Sequence, residues 1–505
     1  MSLQVVEKLS GKSWLLTGGN GFLGSVLIEQ MLRTLNPSKI VLVILPKTGV
    51  PALKQVEKLL ARPLYDTVRQ QYGSTAEIMK RFEVIERDLS SKEDLILPAV
   101  DIVVHVAASI SFNNHIHEAI AANFKATQMV SAAAAKMPNL EAFVHISTCY
   151  VNGNQPRGTH LAEKILPLEH EGKPISYQAL VEELMGLTHE EAEERAAYYR
   201  RLWHYPNNYA LTKRLAEHVL LDRYKEGLPL KIVRPSIIGG SSLQHLQPGY
   251  IGNAAGSTAF ALGIAFGMYS CTLFKPEHIT DLIPVDYVSS AIIVAAASEV
   301  HKDAEQPLIF QAATSAVDPM TNEQCYAAVT RKEAEMPPRF KVFHGYPKPD
   351  MREIYCRTPK EYRSALRRAN YSIKMKCLGL KLAGQGEVAR NIATRWRVFK
   401  VVSGQEMDFN LFFSAPNAAQ AFASLSPEEQ KLFPCVWVKG RDNWDTYLAS
   451  YMDEVWRFYV VKTGIAKPRR GTKRAAPGSP KKAVGAHKAP ALCCASSEAV
   501  RTKDD

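Results

Sequence analysis

Two side chains in the run NNYALTK, Asn207 to Lys213, are placed to do chemistry together. Tyr209 stands four residues before Lys213, and on a helix such positions share a face. A phenol is a proton donor, but with an unperturbed pKa of ~10 it needs a neighbouring cation to act near neutral pH. Lys213 supplies that cation one turn along. Earlier in the chain, HISTCYVNG brings Ser147 and Thr148 to the end of an apolar run. A carbonyl that receives a hydride develops negative charge on its oxygen, and that oxygen needs hydrogen-bond donors and a proton. Thr148 and Tyr209 offer both.

A third feature is the glycine run in LLTGGNGFLGSVL. Gly19, Gly21 and Gly24 form G-x-G-x-x-G, and Gly18, Gly21 and Gly24 form T-G-x-x-G-x-x-G. The run follows an apolar strand and opens a helix, the context in which such a turn binds a dinucleotide. Free N–H groups at the helix start then face the pyrophosphate. Thr17, Gly18, Gly21, Phe22, Leu23 and Gly24 are the candidate residues. An NAD site usually carries an acid about 20 residues on, for the ribose 2′-hydroxyl. Here VILPKTG offers Leu45 and Lys47 and no acid, which favours the 2′-phosphate of NADPH. Lys47 also reads as a solvated loop residue. Asp88 and Leu89, ending FEVIERDL, are candidates for the adenine side, with a helix N-cap as the alternative for Asp88.

The elements that must hold these residues read as a doubly wound, Rossmann-type α/β domain. SWLLTGG, KIVLVIL, FEVIERDL, DIVVHVAA, EAFVHIST and LKIVRPSIIGG are apolar runs separated by helical stretches. Such runs belong to a parallel sheet covered on both faces. A charged helical insertion lies between Glu163 and Arg201. Beyond about Asp318 the alternation fades into helical, basic sequence, and Ser426-Pro427-Glu428-Glu429 is a helix start. The expected organisation is 1–318 for the cofactor domain, 319–466 for a smaller helical domain and 467–505 for a disordered basic tail.

The net charge of +12 over 505 residues is uneven. Ten Lys/Arg and three Asp/Glu fall between Lys467 and Asp505, a balance of +7, which leaves +5 for the rest. The tail reads as solubilising, so no specific nucleic-acid partner is expected. Eight cysteines with no C-x-x-C pair imply neither zinc nor a disulfide framework, and no metal site is expected. The N-terminus has no apolar signal region, and Gly256–Phe274 reads as buried helix or loop rather than a membrane span. The basic stretch Lys374–Lys400 suits CoA phosphates, an anionic membrane surface or plain solvation. Trp396, Phe399, Phe409, Phe412 and Phe413 are read as core or as the lining of an acyl tunnel.

TGGNGFLG, HVAA, HISTCYV, YALTK and IVRPSIIGG together resemble the extended short-chain dehydrogenase/reductases. VVHVAASISF, MPNLEAFVHIST, YPNNYALTKRLAEHVL, DLIPVDYV and the C-terminal SLSPEEQKLF and WDTYLASYMDEVWRFYVVK narrow the resemblance to the fatty acyl-CoA reductases, over residues 12–464. The resemblance implies NADPH-dependent reduction of a long-chain acyl-CoA to an aldehyde and then an alcohol. It implies Thr148 as the hydroxyl that orients the carbonyl and Tyr209 as the proton donor. Lys213 would bind the nicotinamide ribose and lower the tyrosine pKa. Ala107 and Ala108 would lie beside the cofactor, and Pro235 and Ser236 would wall the nicotinamide. Two departures stand out: Leu45 replaces an arginine common in the family, and a polar basic tail stands where many members carry an apolar anchor. An intracellular location is expected, at a peroxisome-like organelle, a membrane surface or the cytosol, with peripheral membrane contact as an option. A reductase stopping at the aldehyde, a sterol or nucleotide-sugar dehydrogenase, and a non-catalytic cofactor-binding module are the alternatives.

Overall fold

The computed structural model describes residues 3–91, 95–242, 249–253, 256–265, 267–299, 304–333, 348–402, 410–436 and 444–463. The tail from 467, with Cys493 and Cys494, lies outside them, as does Phe409. Seven parallel strands form the central sheet: β1 (Ser13–Thr17), β2 (Lys39–Ile44), β3 (Phe82–Glu86), β4 (Ile102–His105), β5 (Ala142–Ile146), β6 (Leu230–Pro235) and β7 (Leu308–Ala312). Their order across the sheet is β7-β6-β5-β4-β1-β2-β3. β1 pairs with β2 on one side and β4 on the other. The chain reverses its winding there, so a crevice opens beyond the carboxyl ends of β1 and β4. Most of these strands are buried along their length, which is why their sequences are continuous apolar runs rather than alternating ones.

Helix α1 (Phe22–Thr34) follows the glycine turn, and α2 (Asn208–Lys225) carries Tyr209 and Lys213. Helix α3 (Val285–Ala297) packs on α1, β5, β6 and β7, with all its side chains buried. A helix buried all round loses its amphipathic period, so VDYVSSAIIVAAA announces burial but not helix. β7, five residues long, is likewise absent from the sequence reading. The insertion forms two helices, Tyr177–Gly186 and His189–Leu202, the second opened by a Thr188–Glu191 capping box. The Gly256–Phe274 run contains the helix Ser257–Ala265, with Leu262, Ile264, Met268, Tyr269 and Phe274 buried. Among the described residues no helix is long and apolar enough to cross a membrane.

The C-terminal part forms α4 (Pro359–Leu382), α5 (Gly386–Val402), α6 (Pro416–Ala423) and α7 (Trp444–Thr463). Ser426 caps the short helix Pro427–Leu432 through the Glu429 amide at 3.2 Å. Helix α6 packs on α3 and β7, and Ala418, Phe422 and Phe433 share one apolar cluster with the sheet. Trp396 and Phe399 stack at 4.9 Å inside a second cluster that also holds Leu282, Tyr447 and Tyr451. Phe413 is buried against Tyr150, and Phe412 stacks on His160 at 4.7 Å. Trp396, Phe399, Phe412 and Phe413 are packing residues.

Candidate active site

The glycine turn is shaped by contacts that leave no room for a Cβ. Gly18 has φ +70°, and a Cβ there would stand 2.8 Å from the Ala107 nitrogen. A Cβ on Gly24 would stand 2.4 Å from the Gly18 oxygen. The Gly21 amide donates to the Gly18 oxygen at 3.0 Å, closing the turn. Gly21 caps α1 without a side chain, so the first amides of the helix keep their donors for an anion. This cradle fits a dinucleotide pyrophosphate. Leu23 is buried in the core and can offer only its backbone. Phe22 packs on Tyr250, with ring centroids 6.1 Å apart.

Thr17 ends β1 and does not face outward. Its hydroxyl bonds His105 Nδ1 at 2.8 Å and accepts the Ala107 amide at 3.1 Å. His105 Nε2 reaches Thr127 at 3.1 Å. Thr17 therefore fixes the β1 and β4 ends that present Gly18, Ala107 and Ala108. Lys47 is exposed in the loop after β2, where the Val50 amide donates to its carbonyl at 3.0 Å. The Asp88 carboxylate caps its own turn, accepting the Ser90 amide and hydroxyl at 2.8 and 2.7 Å. Leu89 is buried in the sheet core.

The catalytic candidates converge at the carboxyl ends of β5 and β6. Asn207 caps α2 by accepting the Ala210 amide at 2.9 Å, which sets Tyr209 on the first turn. Tyr209 is half-buried, rests against Phe112 with centroids 5.9 Å apart, and lies near the Thr148 hydroxyl. Burial pushes its phenol up to about 12, and the Thr148 hydroxyl pulls the other way. Thr148 also donates to the Pro235 carbonyl at 3.4 Å, joining the β5 and β6 ends. Ser236 follows, its amide donating to Ala312 at 2.9 Å.

Lys213 is buried. Its ammonium donates to the Ile146 carbonyl at 2.6 Å and lies 3.3 Å from His145 Nε2. Burial lowers its pKa to about 8, with Glu217 opposing. In this geometry the lysine is tied to β5, and the tyrosine value is set by burial and Thr148.

Several residues of the site escaped sequence reasoning. His145 is held neutral by burial and by Lys213 and His105, and its Nδ1 has no hydrogen-bond partner among the described residues. Asn123 accepts the Ser109 amide at 2.8 Å and donates to Thr212 at 3.1 Å. It sits in a π-helical stretch, Ile120–Lys125, a local widening often found at functional sites. Glu217 continues the Tyr209, Lys213 spacing by one more turn and holds Arg234 at 2.6 and 2.9 Å, both side chains fully buried. Carrying the i+4 count to 217 would have found it.

Beyond β6, Gly239 and Gly240 follow Ser236. A Cβ on either would strike Tyr447 or Tyr451 of α7 at 2.3 and 2.6 Å. Tyr447 donates to the Gly240 carbonyl at 2.9 Å. Helix α7 thus packs directly on the backbone that follows β6.

A doubly wound parallel sheet with a glycine cradle after β1 defines a Rossmann-type dinucleotide-binding fold, and the candidates Thr148, Tyr209 and Lys213 lie at its carboxyl edge. The male sterility protein family, an NAD-binding group, matches residues 16–292. The chain belongs to this family of fatty acyl-CoA reductases and is an oxidoreductase built for a nicotinamide dinucleotide. Fatty acyl-CoA reductase 2 of Mus musculus is 28% identical over 476 residues, covering 92% of this chain and 88% of the relative. Fatty acyl-CoA reductase 1 of Xenopus laevis is 30% identical over 323 residues, covering 63% and 60%. Among solved structures, the terminal R domain of the myxalamid PKS-NRPS pathway superposes with TM-score 0.55 at 16% identity, covering 91% of this chain and 92% of that one. At that identity the likeness speaks for the fold.

Proposed function

We propose that the protein reduces long-chain fatty acyl-CoA to the fatty alcohol with NADPH, by way of the aldehyde, and releases CoA. The observation that carries this reading is the Tyr209–Thr148 hydroxyl pair at the carboxyl edge of the sheet, with Lys213 one turn behind. The substrate class is supported by relatives named fatty acyl-CoA reductases that align with 92% of the chain. Preference for NADPH is supported by Lys47, the only charge between Leu45 and Pro51.

The bound reduced nicotinamide supplies hydride to the thioester carbonyl carbon. Thr148 and Tyr209 hold the carbonyl oxygen between two hydroxyls. Tyr209, with its pKa raised to about 12, keeps its proton at neutral pH and stands ready to deliver it. Proton delivery gives a hemithioacetal. Its collapse breaks the C–S bond, leaves the aldehyde and returns the sulfur as CoA thiol. A second cycle on the aldehyde with fresh NADPH gives the alcohol. Lys213 places a positive charge beside the reacting groups. Residues 1–318 carry the chemistry in this scheme, and residues 319–466 shape the acyl side.

The test is NADPH oxidation with palmitoyl-CoA by the purified protein, NADH in parallel, and Tyr209→Phe as control. Two NADPH consumed per CoA released is the expected result; one would mean aldehyde as product. Clear NADPH binding without turnover on any acyl-CoA from octanoyl to icosanoyl would overturn the substrate class. Lys47→Ala is expected to raise the KM for NADPH and leave that for NADH unchanged.

A further inference from the structure

Helix α4 is apolar on two opposite faces. Tyr362, Ala369, Ile373 and Cys377 are buried on the inner one. On the outer side Tyr371, Met375, Leu378 and Leu382 recur at spacings of four, three and four, which is one stripe of a helix. Tyr371 and Leu382 are 68% and 81% exposed, and Met375 and Leu378 49% each. Val388, at the start of α5, is 46% exposed. Of the eleven large apolar side chains exposed among the described residues, five lie in this hairpin and the other six are scattered. Scattered exposure is normal on a protein surface; a contiguous row is an interaction site.

The charge around the row says what it fits. Residues 359–402 hold eleven Lys/Arg and two Asp/Glu. Arg367, Arg368, Lys374 and Lys381 are exposed and flank the apolar row along α4. An apolar stripe bordered by cations is the pattern of a helix that lies in the plane of a bilayer, its apolar side chains among the acyl chains and its cations at the phosphates. A protein partner would need a long acidic apolar groove to satisfy the same surface. An anionic lipid surface satisfies it without shape matching.

We propose that the outer face of α4, with the start of α5, is a docking surface for an anionic lipid bilayer. The contact lays the α4–α5 hairpin flat on the headgroups and does not insert a span. Helix α5 and the helix Ser257–Ala265 pack in the same apolar cluster as α7, whose Tyr447 bonds the Gly240 carbonyl just beyond β6. Docking there brings the acyl side of the molecule to the phase in which long-chain lipids reside.

The test is co-sedimentation of the full chain with vesicles of phosphatidylcholine alone and with about one third phosphatidylserine added. Binding does not depend on turnover, so the result stands apart from the substrate assignment. Wild-type protein is expected to sediment with the anionic vesicles, and less as salt is raised. Leu378→Asp/Leu382→Asp and Arg367→Glu/Arg368→Glu/Lys374→Glu are each expected to lower the partition by about tenfold or more. These positions are exposed, so circular dichroism and melting temperature should match wild type. Undiminished sedimentation of both variants would place the contact elsewhere in the chain and overturn the proposal. So would absence of wild-type binding, or a dimer that the Leu378→Asp/Leu382→Asp variant dissociates, which would make the stripe a self-interface.

Discussion

Tyr209 and Lys213 share the opening turns of α2, and Thr148 and the Ile146 carbonyl that holds Lys213 both belong to the end of β5. Replacing Tyr209 by Phe removes the proton and leaves the ring against Phe112. Turnover should fall by ~10²–10⁴ while cofactor affinity, measured by fluorescence quenching, stays close to wild type. Lys213 gives a pH dependence with a definite sign. Its folded pKa of about 8 lies below the ordinary 10.5, so its charge disappears as pH rises through about 8. The kcat/KM for the cofactor reports the free enzyme and should decline above that pH; a flat profile up to about pH 10 would falsify the role given to this lysine. The buried histidines act on the acid side. His105, held by burial and Lys213 at about 3 against an ordinary 6.5, is neutral in the folded chain and takes a proton on unfolding. The stability it contributes is full above 6.5 and is lost as pH falls toward 3, at ~1.4 kcal/mol per unit. A denaturant midpoint that drops between about pH 7 and about pH 5 is the expected observation.

At the scale of elements, α2 is joined to the sheet by charge as well as packing. Arg234 on β6 and Glu217 on α2 form a fully buried bidentate pair. Arg234→Met leaves a carboxylate buried without its cation, and the expected cost is about 3–5 kcal/mol, read as a lowered melting temperature. The double variant Arg234→Met/Glu217→Leu should recover much of that loss, because the orphaned charge is gone. The glycine turn gives a second test. Gly24→Ala pushes a methyl against the Gly18 oxygen, so the turn must open and cofactor affinity should collapse. Six of the seven strands and the α1 and α2 positions were legible in the sequence, since apolar runs and glycine punctuation are local signals. β7 and α3 were not, because burial on every side erases the periodicity that distinguishes helix from strand. In the site, YALTK and the Ser147-Thr148 pair declared themselves by residue type. His145, Asn123 and Arg234 did not, since their roles arise from pairings between 17 and 89 residues apart.

For the whole molecule, the two halves of the chain share their cores. Phe422 and Ala418, from the last hundred residues, pack into the cluster of β7 and α3. A chain ended after Asp318 exposes that surface, and it should be insoluble or bind a hydrophobic dye rather than fold as an isolated cofactor domain. Phe422→Ala in the full chain should cost ~3–5 kcal/mol, a large share of what holds a protein folded. The seating of Tyr447 on Gly240 has a further consequence, for synthesis. The glycine cradle, Thr148, Tyr209 and Lys213 are all made in the first half of translation, whereas Tyr447, which seats on Gly240, is among the last sixty residues. A growing chain therefore holds its candidate catalytic residues long before Tyr447 can seat on Gly240.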